Sequence, residues 1–337
     1  MDSKLSVGVI GLGHIGGSIA LSIREHCEVL AFDPDEATMR NSKRRGIDTV
    51  VRPEELLGKC GTILFAPPNP VLSEAVSNLL AARLESGRQT PLLVVDVAST
   101  KTETITSIAR AVAAHRGVTH LSLHPMAGRE GSGFNSSDPE ILFRSRWAEI
   151  PTAFRAEPRR SLDLFEIFSR SMDFEMIPLS AAVHDKAVAV VSHLPHVLAE
   201  ALGVALSGHL EVSVARALAA GSFGSATRVA NGIPERVAEL CWPNRAMLAM
   251  ELDNFIEVLA RVSGSLKESS PKSFLTFVRE GSAAIAELQG VVEPKTESVV
   301  CEMNSFWGRI DQIRNSGKFL SDFKLTGDSA SFVTRIG

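Results

Sequence analysis

The run Gly11-Leu12-Gly13-His14-Ile15-Gly16, set directly after the apolar stretch Ser6 to Ile10, narrows the choice of fold more than any other segment. The apolar stretch has the length and composition of a buried parallel strand, and residues Ile15 to about His26 follow helical spacing. In a strand, glycine turn and helix of this kind, Gly11 permits the tight turn and Gly13 lets the backbone approach a pyrophosphate. Gly16 lets helix and strand pack closely. The helix start also presents N–H groups and a partial positive charge to phosphates. Asp33 closes the next apolar run, Val29 to Phe32, at the offset where a carboxylate accepts from both ribose hydroxyls and repels a 2′-phosphate. That pattern predicts NAD as cofactor. Arg40, Lys43, Arg44 and Arg45 read as a solvated helix end and keep NADP as a minor alternative. The competing reading of the whole run is a glycine-rich turn without a ligand. A signal peptide does not fit Leu5 to Leu21, which holds five glycines and a histidine and lacks a cleavage pattern.

Strands and helices alternate through the first half. Thr62 to Ala66 is a strand stopped by Pro67-Pro68, and a helix runs from Pro70 to about Leu84. Pro91 to Val97 carries the strongest strand signal, followed by a helix through Ile105 to Ala114 that Ser99 or Thr100 is expected to cap. Thr119 to Leu123 is a further short strand. The alternation predicts an α/β, Rossmann-type doubly wound parallel sheet. Near Pro178 the pattern changes to long helical periodicities, in Val183 to Leu206, Met247 to Leu266 and Ser273 to Leu288. The expected domains are therefore 1–178, dinucleotide-binding; 179–292, all-helical; and 293–337, a partly helical C-terminal tail too short for an added regulatory domain.

At 337 residues the chain is long enough for two domains, with 45% hydrophobic and 22% charged residues. The 35 Lys and Arg against 39 Asp and Glu give a formal charge of -4, which builds no basic face for nucleic acid. No segment is expected to span a membrane. Cys27, Cys60, Cys241 and Cys301 are scattered, as reduced thiols of a cytoplasmic protein would be.

Chemistry in such a sheet belongs where the strands end, beside the cofactor. Ser99 follows one strand and His124 the next, so both are expected at one rim. A hydroxyl and an imidazole beside a nicotinamide suit hydride abstraction from a carbinol, with histidine accepting the hydroxyl proton. Plain structural roles, a helix cap for Ser99 and a loop histidine for His124, are the alternatives. The glycine-rich stretch Met126 to Gly133 reads as a mobile lid. In the helical half, His184-Asp185 and Ser192-His193-Leu194-Pro195-His196 stand out. The spacing is unsuited to a metal, and none is expected. Arg228, among apolar and small residues, has the setting of a guanidinium that forks onto a carboxylate.

Taken in order, Gly11 to Gly16 with Asp33, Asp96-Val97-Ala98-Ser99-Thr100-Lys101, His124-Pro125-Met126-Ala127-Gly128, His184-Asp185, Ser192 to His196 and Gly221-Ser222-Phe223 leading to Thr227-Arg228 resemble the prephenate/arogenate dehydrogenase family. The resemblance covers residues 5 to 290. It implies a Rossmann-type domain with a helical dimerisation domain, a homodimer, and NAD-dependent oxidative decarboxylation of a cyclohexadienol, prephenate or arogenate, in tyrosine or related aromatic biosynthesis. It further implies that His124 accepts the ring C4 hydroxyl proton and that Ser99 orients that hydroxyl near the nicotinamide. Arg228 then holds the ring carboxylate, His196 and Ser192 meet the substrate, and Glu130 gates the entrance. Gly11, Gly13, His14, Ile15, Gly16, Asp33, Pro67 and Ser99 line the cofactor.

The chain departs from the family pattern around the substrate. Ser225 stands where an aspartate is common, Val237 where a tryptophan is, with Trp242 out of register, and Glu239 replaces an aspartate. These departures leave a dehydrogenase of a 4-amino-4-deoxyprephenate-type compound as an alternative. A β-hydroxyacid dehydrogenase and a non-catalytic NAD-binding protein rank lower: Lys186 lacks a following asparagine, and Ser99 and His124 are intact.

Overall fold

A computed structural model describes residues 5–128, 131–209, 211–290 and 295–336. The chain divides into two compact units, Met1–Asp185 with Lys295–Gly337, and Lys186–Pro294. In the first unit the order is β1 (Ser6–Ile10), α1 (His14–Ile23), β2 (Glu28–Phe32), α2 (Glu36–Arg44), β3 (Asp48–Thr49), β4 (Thr62–Phe65), α3 (Asn69–Glu85), β5 (Leu92–Asp96), α4 (Thr102–Ala113) and β6 (Val118–Pro125). These six strands are parallel and lie in the order β3-β2-β1-β4-β5-β6, reversing direction of growth at β1. That order is the doubly wound nucleotide-binding arrangement expected from the sequence. Both faces are covered. Leu93 and Val95 enter one apolar cluster while Leu92 and Val94 enter the other, which is why β5 reads as an unbroken apolar run rather than an alternating one.

The sheet continues past the sixth strand. β7 (Arg146–Ile150) runs antiparallel to β6 and parallel to β8 (Glu175–Pro178), with α5 (Pro158–Met172) between them. A polypeptide turn into α6 (Ala181–Val188) then opens the helical region, and the division between units falls inside that helix. The second unit contains α7 (Leu194–His209), α8 (Val212–Leu218), α9 (Gly221–Thr227), α10 (Pro234–Cys241), α11 (Arg245–Leu266) and α12 (Lys272–Gln289). A π-turn, Ala189–His193, joins α6 to α7. Pro195 accounts for it: proline has no N–H to give, and its ring crowds the carbonyl four residues back, so the helix widens locally.

Three sequence expectations are corrected. The boundary is at Asp185 rather than 178, because His184 and Asp185 bond into the first unit. The segment 293–337 is not a separate tail: β9 (Thr296–Glu302), α13 (Phe306–Ile313), β10 (Lys318–Thr326) and β11 (Ser329–Ile336) extend the sheet in the order β8-β10-β11-β9, all antiparallel. An aromatic cluster fixes this extension. Phe323 lies 5.2 Å from Phe165 of α5 between ring centres, and Phe174 lies 5.9 Å from Phe323. A buried charge network adds to it, with Glu149 of β7 bound by Arg155 at 2.9 Å and by Arg314 at 3.0 Å. Finally, the helical run Ala181–Ser207 is long and apolar enough, by length and composition, to cross a membrane. Asp185, Lys186 and Glu200 are its only acidic or basic residues other than histidine, so charge does not break the run as expected.

Candidate active site

The glycine turn is built as its residues dictate. Gly11 has φ +91°, and a Cβ there would lie 2.7 Å from the Pro67 nitrogen, so the end of β4 closes over it. A Cβ on Gly16 would collide with the Gly11 carbonyl, whereas the space over Gly13 is open to at least 4 Å. This leaves Gly13, the residue preceding the first turn of α1, as the bare point of the cradle. Asp33, just past β2, accepts from the Leu12 N–H at 2.8 Å through Oδ2 and from the Asp35 N–H at 2.9 Å through Oδ1. Its carboxylate is thereby anchored beside the glycine turn with lone pairs to spare for hydroxyl donors. His14 is buried and Ile15 half-buried in the first turn of α1. The cradle fits an adenine dinucleotide without a 2′-phosphate.

β5 and β6 are parallel neighbours with Asp96 opposite Ser122. Ser99 and His124, three and two residues further on, therefore leave the same sheet edge from adjacent strands. His124 lies within β6, which runs two residues beyond the expected end. Ser99 Oγ accepts from Asn69 Nδ2 at 3.1 Å, and the same amide donates to Thr100 Oγ1 at 3.0 Å. Asn69 escaped the sequence reading; its signal was an asparagine wedged between Pro68 and Pro70 directly after a strand end.

Beneath this edge lies a buried ionic knot. The Lys101 ammonium, wholly buried, donates to Asp96 Oδ1 at 2.7 Å and to the Leu123 carbonyl at 2.6 Å. His120 Nε2 lies 2.8 Å from Asp96 Oδ2. Burial alone would raise the Asp96 carboxyl; the Lys101 charge and the His120 bond outweigh it and hold the group well below the usual carboxylate range. Since Leu123 precedes His124, the lysine ties the end of β5 to the backbone that carries the histidine.

Neither Ser99 nor Thr100 supplies a side-chain cap to α4. That role falls to Asp185, whose Oδ1 and Oδ2 accept from the backbone N–H groups of Lys101 at 2.9 Å and Thr102 at 2.8 Å. The distant carboxylate wins because it reaches two amides at once and sits at the positive end of the helix. Asp185 also lies 2.8 Å from His184 Nδ1, and His184 Nε2 lies 2.8 Å from His124 Nδ1. Burial raises the Asp185 carboxyl, but its bonds from His184 and Thr102 overcome this and bring it to about 2. Burial pushes the His184 imidazolium down, more than its contact with Asp185 lifts it.

In the helical unit, Ser192 falls in the π-turn and is half-buried, as is His196 at the start of α7. His196 Nδ1 is buried with no partner among the described residues. His193 Nδ1 lies 3.3 Å from the side-chain amide of Asn244, which commits it to packing within that unit. Arg228 is exposed at the first position of a short 3-10 turn after α9. Glu130 lies outside the described residues. Among the described residues no cluster of three or more His, Cys, Asp or Glu is arranged to hold a metal ion.

A doubly wound NAD-binding unit followed by helices, with a histidine and a serine on the cofactor edge, defines a nicotinamide-dependent oxidoreductase. Comparison with known proteins specifies the family. Residues 19–163 match the nucleotide-binding domain of prephenate dehydrogenase, and residues 180–280 match its dimerization domain. The chain is 28% identical to prephenate dehydrogenase of Lactococcus lactis subsp. cremoris over 277 residues, covering 81% of this chain and 74% of that protein. It is 24% identical to cyclohexadienyl dehydrogenase of Zymomonas mobilis over 288 residues, 82% of this chain and 94% of that one. The fold of Aquifex aeolicus prephenate dehydrogenase, solved with hydroxyphenyl propionate and NAD+, superposes with a TM-score of 0.73 at 19% identity, covering 85% of this chain and 99% of that one. Synechocystis arogenate dehydrogenase gives a TM-score of 0.70 at 22% identity, with 86% and 100% covered. The chain belongs to the prephenate dehydrogenase family and is an NAD-dependent dehydrogenase of the prephenate/arogenate type.

Proposed function

We propose that the protein performs its oxidative decarboxylation at the β5/β6 edge, with His124 as proton acceptor and Ser99 as its polar companion. The observation that carries this reading is the parallel register of β5 and β6, which delivers both residues to the edge bearing the glycine turn. When bound, NAD supplies the acceptor for a hydride from ring C4. His124 takes the C4 hydroxyl proton as that hydride departs, so a carbonyl forms at C4. The C1–carboxylate bond then breaks, carbon dioxide leaves, and its electron pair enters the ring; reprotonation at the C4 oxygen gives the phenol. The acceptor role suits a histidine whose other nitrogen is already engaged, as His124 Nδ1 is. Ser99, held by Asn69, orients the hydroxyl. In this reading Arg228 grips the ring carboxylate and His196 and Ser192 meet the rest of the substrate, while Glu130 gates entry. Gly11, Gly13, His14, Ile15, Gly16, Asp33 and Pro67 receive the dinucleotide.

The enzyme acts as a homodimer in the cytoplasm, a reading supported by two features. The helical unit buries little apolar surface of its own: Leu194, Cys241 and Leu248 form its buried cluster, while Val204, Ile256, Leu259, Leu266 and Ile285 are exposed. The four cysteines stand as buried free thiols.

The test is NADH formation from prephenate, arogenate and the 4-amino-4-deoxy analogue of prephenate in parallel. Turnover of either of the first two supports the reading, and turnover of the amino compound alone overturns it. His124→Asn is expected to lower kcat by about 100-fold or more with the Michaelis constant for NAD nearly unchanged. Wild-type turnover in that variant would remove His124 from the chemistry.

A further inference from the structure

We infer that His184 and Asp185 form a positioning relay that fixes the tautomer of His124, a role that rests on the reading of His124 as proton acceptor and deepens it. The three side chains form one line, Asp185 Oδ1 to His184 Nδ1 at 2.8 Å and His184 Nε2 to His124 Nδ1 at 2.8 Å. The direction of the hydrogen bonds follows from the anchored end. Asp185 already accepts from two backbone N–H groups at the start of α4, so it is present as a carboxylate and can only accept. His184 therefore carries its proton on Nδ1. Being neutral in its buried setting, it presents a bare Nε2. A bare nitrogen facing His124 Nδ1 at hydrogen-bond distance requires the proton to be on His124. The lone pair of His124 is thus assigned to Nε2, the acceptor that proton abstraction needs.

The opposite orientation fails at one joint or the other: with the proton on His124 Nε2, two lone pairs would meet between the imidazoles. The geometry also restrains ring rotation, since the His124 and His184 planes cross at 67° with centres 5.1 Å apart. Other charged groups near the relay are Lys101 and Asp96 on the β5–α4 side, and they are already joined to one another. His184 does not touch the reacting atoms in this account. It acts through His124, much as the buried carboxylate of a hydrolase triad sets the tautomer of its histidine.

Two substitutions separate the two nitrogens. Asn at 184 reproduces the Nδ1 donor toward Asp185 but withdraws the acceptor from His124; Gln places an amide oxygen where Nε2 stood and restores it. His184→Asn is expected to lower kcat at least about tenfold with the Michaelis constant for NAD unchanged, and His184→Gln to recover most of the loss. Long-range proton–nitrogen NMR on the whole enzyme labelled at histidine reads the tautomer directly. His124 is expected as the Nδ1–H form in the wild type and in His184→Gln, and as the Nε2–H form in His184→Asn. Wild-type turnover in His184→Asn, an equal loss in Asn and Gln variants, or an Nε2–H His124 in the unaltered enzyme would each overturn the relay. His124→Asn run alongside keeps the two ideas apart. If it loses turnover while His184→Asn does not, the relay falls and the acceptor stands; if it keeps turnover, the acceptor falls, and the NMR result still decides the relay.

Discussion

At the scale of single residues, the decisive feature is how many side chains serve to hold a few others in place. Asp33 holds the glycine turn through one backbone bond to each carboxylate oxygen, which leaves lone pairs to spare for hydroxyl donors. Asp33→Ala should therefore raise the Michaelis constant for NAD more than that for the cyclohexadienyl substrate, and steady-state kinetics showing the reverse order would contradict the assignment. Asp185 makes a pH prediction. Its carboxyl lies at about 2 against an ordinary 3.8, so its bonds add stability at neutral pH that is lost as pH falls from about 4 toward 2. A shift of that size corresponds to about 2 kcal/mol. Asp185→Asn should accordingly be less stable than wild type near pH 7, with the gap closing in acid; urea unfolding at pH 7 and pH 3 checks it. What the sequence could show at this scale was uneven. The placing of His124 and Ser99 at one sheet edge was legible because each stands at or just beyond the end of an apolar run. Asp185 was legible as a motif but not as a cap, because the amides it satisfies lie 83 and 84 positions away and no local pattern links them.

Among elements, five of the six parallel strands were legible because each is largely buried and so appears as a dense apolar run. β3 was too short at two residues to carry a signal. β7 to β11 were harder to see for a different reason. Their cores are aromatic and charged residues drawn from many separate segments, so no single strand carries an unbroken aliphatic stretch. β9, at the sheet edge, exposes most of its residues, as an edge strand does, and its sequence Thr296–Glu302 is correspondingly mixed. The aromatic cluster makes the extension part of the first unit's core. Phe323, essentially buried, packs on Phe165, Phe174, Phe306 and Phe332. Phe323→Ala should cost about 3–5 kcal/mol, read as a shift in urea unfolding. A loss under about 1 kcal/mol would show the C-terminal strands to be a loosely attached ornament.

For the molecule as a whole, the two units differ in how they use apolar surface. The first encloses two large clusters on either side of its sheet, while the second leaves long helical faces of leucine, isoleucine and valine uncovered. Patches of that kind mark association surfaces. Ile256→Glu combined with Leu259→Glu should halve the mass measured by sedimentation, because a buried unpaired carboxylate on each copy opposes pairing. An unchanged mass would place the dimer contact elsewhere.

The strand order also has a consequence for synthesis. The edge of β8 is paired with β10, which the ribosome delivers some 140 residues later in the chain order, after the whole helical unit. A nascent chain therefore carries a nearly finished nucleotide-binding sheet with an open flank and unclosed aromatic surface until β10 has emerged. Stalling after the helical unit but before β10 and β11 leaves such a chain exposed to chaperones and to its neighbours on the polysome.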